Sequence, residues 1–290
     1  MSERRVPAAM VLCAGLGTRL RPLTEWIAKP LVPVGDRPAV AHVVERLGSF
    51  PKRVLNVHHR PDDLEAWART QGIAVSREID LLGTAGGVSK AKELLGDGDV
   101  LVWNGDILCD LDVGALVDAH RDDATLAVVT RPLGSGNVGL DDEGRIVRLR
   151  KERFGEETKS ADFIGIHVIG AALRATLPEK GCLVGDVYLP ALGRRATLRA
   201  HVVDVPFSDI GSIAEYVAAN RTWLARRSAT EWAASDAVVN ASIEGSIIGA
   251  GARIDAATKR CIVWPGAHVK EPIEDAIVTP HGIVGYAPAR

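Results

Sequence analysis

The stretch "AGLGTRLRPLT" (residues 14–24) brings Gly15, Gly17, a hydroxyl at Thr18 and a guanidinium at Arg19 into one short turn. Amides bared by glycines beside a fixed cation make an anion cradle, and at the carboxyl end of a strand the expected anion is a phosphate. Two familiar glycine fingerprints do not fit. A dinucleotide turn needs a third glycine three residues beyond Gly17, where Leu20 stands, and no Gly-Lys-Ser/Thr follows at P-loop spacing. What remains is a triphosphate cradle, with Ala14, Gly15, Gly17 and Thr18 as contacts and Arg19 as the neutralising charge.

Such a turn must be carried by a strand. Short apolar runs bounded by turn residues predict strands at 8–13, 53–58, 73–76, 99–103, 125–130, 145–149, 163–169 and 200–205. Between them, "RPAVAHVVERLGSF", "PDDLEAWARTQG", "TAGGVSKAKELLG" and "DVGALVDAHR" have helical spacing, and Pro61 with two aspartates suits a first turn. Residues 211–234 read as one long helix with Ile213, Tyr216, Val217, Asn220 and Leu224 along one side.

The period then changes. Residues 246–260 align without gaps on 261–275, and 276–290 opens in the same way. Aliphatic pairs Ile248/Ile254 and Val263/Val269 recur at hexapeptide spacing, which predicts a short left-handed β-helix. Its Trp264 and Pro265 are expected at a corner, a cap or a subunit contact, and His268 is expected to be structural. The expected fold class is α/β, a three-layer Rossmann-like body with a mixed central sheet over residues 1–234 and the β-helix over 235–290.

Composition excludes several other classes. With 35 basic against 37 acidic residues and a net charge of -2, the chain lacks the cationic excess that binding to nucleic acid requires. Cys13, Cys109, Cys182 and Cys261 lie far apart without a CxxC pair, so neither a zinc ribbon nor a disulfide framework is expected. The opening "MSERRVPAAMVLCAG" has the basic start and apolar run of an export signal, but Leu12 precedes the cysteine and cleavage nearby would remove the glycine loop. No apolar run approaches the ~18 residues needed to span a bilayer. A cytoplasmic, non-membrane protein is the expectation.

"AGLGTRLRPLT" followed by "AKPLVPVGDRP" resembles the signature of the sugar-1-phosphate nucleotidyltransferases, and "LGTAGG" is similar to a segment of their mannose-1-phosphate guanylyltransferases. "LLGTAGGVSKAKELL" (81–95), "VLVWNGDILCDLD" (100–112), "FIGIHVI" (163–169) and "VPFSDIGSIAEYVAAN" (205–220) resemble later motifs of the family. The resemblance implies that Lys29 orients a sugar phosphate, that Gly83 and Thr84 help line the base, and that Asp106 and Asp209 hold Mg²⁺. The ordinary alternatives are a turn aspartate at 106 and a helix cap or dipole partner at 209. The implied chemistry joins two anions: a sugar 1-phosphate attacks the α-phosphorus of a nucleoside triphosphate and pyrophosphate departs.

Recognition of base and sugar is less well marked. Glu78 is placed to accept from both N–H groups of a guanine edge, which favours GTP over UTP. After the strand at 145–149 the family's Glu-Lys-Pro is absent, and Lys151-Glu152 stands in reversed order. Lys151, Glu152, Asn137 and Asp162 are the sugar-contact candidates. The leading expectation is GTP with mannose 1-phosphate or a related sugar. The alternatives are a UTP-dependent uridylyltransferase, a phosphocholine-type cytidylyltransferase and a non-catalytic nucleotide-sugar sensor. A homo-oligomer through the β-helix is the expected assembly.

Overall fold

The run Ala8-Ala9-Met10-Val11-Leu12 is apolar at both parities, the pattern of a strand covered on both faces rather than one. A computed structural model describes residues 8–287, so the basic opening at 1–7 and the last three residues lie outside the described residues. Two compact units result, residues 8–16 with 43–207 and residues 17–42 with 208–287.

In the first unit the strand Ala8–Leu12 lies parallel to Arg53–Val57 and to Val100–Asn104, and Ala74–Arg77 extends the parallel part. Lys159–Ile169 runs antiparallel to Val100–Asn104 and on its other side meets Ala124–Arg131, making the sheet mixed. Val138–Leu140, Ile146–Leu149 and Glu152–Arg153 complete one edge, and Leu198–Val202 lies parallel to Ala124–Arg131. One face presents Met10, Val54, Val102, Leu126 and Val128 to Ala85, Val88, Leu95, Leu183 and Tyr188. The alternate residues Val11, Leu55, Leu101 and Trp103 are equally buried, as a sheet covered on both faces demands.

Local signals explain the helices. Pro61–Thr70 begins with proline at its first position and Asp62 and Asp63 in its first turn, where fixed φ and negative charge are favourable. Its Leu64 and Ala68, four apart, are both buried. The segment expected as one helix from 84 to 96 divides into Gly83–Lys90 and Lys92–Leu95. Among the described residues no helix is long and apolar enough to cross a membrane.

The second unit contains the short turns Thr18–Leu20 and Lys29–Leu31, a hairpin pairing Pro33–Val34 with Arg37–Pro38, and the helix Ile213–Ala225. That helix stops well short of the expected 234. Ser228 adopts φ 51° and the amide of Ala229 returns to the Leu224 carbonyl, a left-handed termination achieved without glycine. Trp232–Ala233 then opens a parallel ladder through Ile247–Ile248, Ile262–Val263 and Ala276–Thr279. A second ladder joins Val238–Val239, Arg253–Ile254 and His268–Val269, and a third joins Thr258–Lys259 to Ile273–Glu274. Every rung falls fifteen residues after the last, as Trp232, Ile247, Ile262 and Ile277 show. The aliphatics at 248, 254, 263 and 269 are buried together, and an antiparallel hairpin with Gly282–Gly285 closes the stack.

Candidate active site

In the first unit, the candidates Ala14, Gly15, Glu78 and Asp106 follow the carboxyl ends of parallel strands, whereas Asn137, Lys151, Glu152 and Asp162 belong to the antiparallel part of the sheet. Gly105 donates its amide to the Leu12 carbonyl (2.9 Å), and an added Cβ there would lie 2.7 Å from Cys13 Sγ. The Asn104-Gly105-Asp106 turn is thereby drawn onto the end of Ala8–Leu12. Burial and the neighbouring Asp106 carboxylate both push the Cys13 thiol well up, so this cysteine is inert as a nucleophile. Ala14 is buried, whereas Gly15 and Leu16 are exposed, and nothing lies within 4 Å of a Cβ placed on Gly15. That open side is where a bulky anion can approach backbone.

A buried polar relay ties these strand ends together. The Cys13 amide donates to Asn56 Oδ1 (2.7 Å), Asn56 Nδ2 donates to Glu78 Oε1 (2.7 Å), and the Leu82 amide donates to Glu78 Oε2 (3.0 Å). This corrects the expectation for Glu78. Its side chain is buried and both oxygens already accept from the protein, so the carboxylate secures the start of Gly83–Lys90 rather than reading a base. An added Cβ at Gly87 would fall within 2.8 Å of both Asn56 and Glu78, which is why that position is glycine. Asn56 carried no motif in the sequence and is visible only through these bonds.

Gly83 and Thr84 also face protein. A Cβ at Gly83 would lie 2.5 Å from the Gly181 carbonyl, and Thr84 Oγ1 accepts from the Leu183 amide (2.8 Å). The glycine-rich segment therefore anchors the 181–183 backbone, a partner that sequence reasoning did not find. Asn137 and Asp162 are brought together. Asp162 accepts from the Asn137 amide (3.0 Å) and from Arg131 Nε (2.6 Å), while Asn137 Oδ1 accepts from the Phe163 amide (2.9 Å). The oxygens expected to meet sugar hydroxyls are thus engaged in shaping the loop. Lys151 and Glu152 stand exposed at a hairpin turn that begins with Arg150 at φ 56°.

Behind that loop lies a second feature the sequence did not announce. Arg148 donates to both oxygens of Glu157 (2.7 Å each) and also to the carbonyls of Ser135 and Gly136, with both side chains nearly buried. Hydrogen bonds from Arg148, then from Ser160, hold the Glu157 carboxyl down at about 2 despite its burial.

In the second unit the cations and the second aspartate have their own frame. Gly17 has φ 62°, and Thr24 Oγ1 donates to its carbonyl (2.9 Å). A Cβ on Gly17 would meet the Thr24 methyl at 2.7 Å and the Lys29 stem at 3.1 Å, so this turn admits only glycine and Lys29 packs directly on it. Thr18 and Arg19 are exposed. The Arg19 guanidinium lies 2.5 Å from where a Cβ on Gly211 would stand, placing it on the Asp209-Ile210-Gly211 turn. The cap of the following helix is Ser212, whose Oγ accepts from the Glu215 amide (3.3 Å). Asp209 is therefore not the cap that its position before a helix suggested.

Trp264, expected at a corner, a cap or a subunit contact, follows the rung Ile262–Val263 just before the Pro265-Gly266 turn; it is buried, and its indole N–H donates to Tyr216 Oη (3.0 Å) on the helix Ile213–Ala225.

Known proteins resemble this chain. Residues 8–152 match the family model described as nucleotidyl transferase. A probable mannose-1-phosphate guanylyltransferase of Oryza sativa subsp. japonica is 30% identical over 96% of the chain and 87% of its own length. A UTP–glucose-1-phosphate uridylyltransferase of Synechocystis sp. is 28% identical over 75% of the chain, which spans 63% of that relative, a little under two thirds. Among solved structures, HddC from Yersinia pseudotuberculosis complexed with GMP-PN superposes with a TM-score of 0.63 at 21% identity, over 75% of this chain and all of that one, a likeness of fold. The chain belongs to the nucleotidyl transferase family, among the sugar-1-phosphate nucleotidyltransferases.

Proposed function

We propose that this chain transfers a nucleotidyl group from a nucleoside triphosphate to a sugar 1-phosphate, releasing pyrophosphate, with GTP and mannose 1-phosphate as the leading pair. The observation that carries the reading is the contact of Arg19 with Gly211, which joins the cation of the glycine loop to the turn bearing Asp209. Two motifs distant in the chain meet at Gly211 through an exposed guanidinium, with the Glu215 carboxylate beside the same glycine. A shared polyanionic substrate accounts for that meeting.

In this reading Gly15, Gly17 and Thr18 receive the triphosphate, Arg19 neutralises it and the departing pyrophosphate, and Lys29 orients the attacking phosphate. Asp106 and Asp209 are the residues that would hold Mg²⁺. Hard carboxylate oxygens fit an ion that binds through one or two carboxylates and completes its shell with water and substrate phosphates. Among the described residues no group of three or more His, Cys, Asp or Glu gathers into a cage of its own, which suits an ion that arrives with nucleotide. When bound, it supplies charge neutralisation between the two phosphates.

With Glu78 committed to the relay, preference for GTP rests on the rice relative's name rather than on a base-reading carboxylate. The Synechocystis relative's name supports UTP as the second reading. The fifteen-residue ladders support reading the C-terminal segment as a short left-handed β-helix. Incubating the protein with Mg²⁺, each nucleoside triphosphate and a sugar 1-phosphate mixture, then identifying products by mass, tests the proposal. A GDP-sugar with pyrophosphate is expected, and a UDP-sugar would move the base assignment. Absence of both pyrophosphate and any nucleotide sugar would refute the reading.

A further inference from the structure

The second unit grips the segment that carries Lys29 at two points, and both grips come from the C-terminal half of the chain. At one, Trp264 Nε1–H donates to Tyr216 Oη (3.0 Å) and the Tyr216 hydroxyl donates to the Pro33 carbonyl (2.7 Å). Asn220, one helical turn beyond Tyr216, accepts from the Gly35 amide at 2.9 Å. Gly35 has φ 63°, and an added Cβ would fall 2.0 Å from the Trp223 ring, so the turn lies flat against the helix. At the other point Trp26 meets His281 with ring centroids 5.9 Å apart, and Gly282 leaves room for the same indole. Lys29 sits between these anchors in sequence.

We propose that the C-terminal ladders position Lys29, with Trp264 and Tyr216 as positioning residues acting through the Pro33 carbonyl. This rests on the reading of Lys29 as the group that orients the sugar phosphate. A lysine ammonium on a four-carbon stem is placed only as well as its backbone is fixed. Between Lys29 and the gripped carbonyl the chain reads Lys-Pro-Leu-Val-Pro, and two prolines of fixed φ transmit a displacement at residue 33 rather than absorb it. The polar atoms are otherwise hard to explain. Phenylalanine at 216 and 264 would fill buried space without desolvating a hydroxyl and an indole N–H, a cost recovered here by holding a carbonyl.

Tyr216→Phe, Trp264→Phe and the double variant test the relay, with folding checked by circular dichroism and melting. Loss of one such hydrogen bond is expected to raise the KM for sugar 1-phosphate about tenfold, with the KM for the nucleoside triphosphate unchanged. The double variant is expected to lose no more than Tyr216→Phe alone, because removing the Tyr216 hydroxyl already breaks both bonds. An unchanged sugar-phosphate KM in a folded Tyr216→Phe protein, or equal losses for both substrates, overturns the proposal. A second measurement does not depend on turnover: acetylation rates of individual lysines in the substrate-free protein, read by peptide mass spectrometry. Lys29 is expected to react faster in Tyr216→Phe while exposed Lys151 and Lys159 keep their wild-type rates. Should the wild-type protein make no nucleotide sugar, the functional reading fails, and an unchanged Lys29 rate separately overturns the relay.

Discussion

In the first unit Asn56 and Glu78 fix the strand ends by buried and half-buried amide and carboxylate bonds, whereas in the second unit Tyr216, Trp223 and Trp264 fix a loop by indole and phenol contacts. The two devices differ in how they fail. A buried polar relay has no neutral way to lose a member, because each remaining donor or acceptor is stranded in low dielectric. An aromatic brace retains most of its packing when one polar tip is removed. The first unit is therefore expected to respond to mutation through stability, and the second through the placement of charge.

The largest contrast is expected at the Arg148–Glu157 pair. Glu157→Gln leaves a buried guanidinium without its counter-charge and is expected to cost about 3–5 kcal/mol in chemical denaturation. Its acid response has a defined sign. Because the folded carboxyl is held at about 2 against an ordinary 4.5, the stabilisation is complete above pH 4.5 and is lost as the pH falls towards 2. The gap between wild type and variant should close over that window. Next comes Arg19→Ala, expected to lower turnover roughly 10²–10³-fold, about 2.7–4 kcal/mol, with melting unchanged because the side chain is exposed. Near-normal turnover would remove Arg19 from the chemistry.

Smaller again are Asn56→Ala and Glu78→Gln, each expected to cost about 1–3 kcal/mol of stability by stranding a buried partner. Glu78→Gln also has a specificity readout. If the carboxylate is structural, the ratio of rates with GTP and UTP stays at its wild-type value while the melting temperature falls. A changed ratio with unchanged stability would return Glu78 to base recognition.

The parts legible in the sequence were those set by periodicity and by glycine. The strands expected at 8–13, 53–58 and 99–103 followed from short apolar runs and stand at 8–12, 53–57 and 100–104, and the fifteen-residue rungs followed from the aligned repeats. The earlier coil at Trp232 and Val238 was not legible, because it keeps the rung spacing without the residue pattern and the preceding helix stops at Ser228 without a glycine. At the site, the turn at Gly17 was readable as backbone bared to an anion, whereas the close approach of Gly105 to Cys13 shows only in the fold. Glu78 was misread for a general reason: a carboxylate looks the same in sequence whether it faces a ligand or a buried amide. Asn56, Arg148 and the Tyr216–Trp264 pair were invisible because their partners are distant in the chain and only folding assembles them.

The proposal that Asp106 and Asp209 serve one divalent ion in nucleotidyl transfer is decided by a double-mutant cycle. Pyrophosphate release would be measured at fixed Mg²⁺ for Asp106→Ala, Asp209→Ala and the combined variant. Two ligands of a single ion act as a unit, so the combined variant is predicted to be scarcely slower than either single one. Losses that multiply, with each aspartate contributing independently, would show that the two do not share one ion.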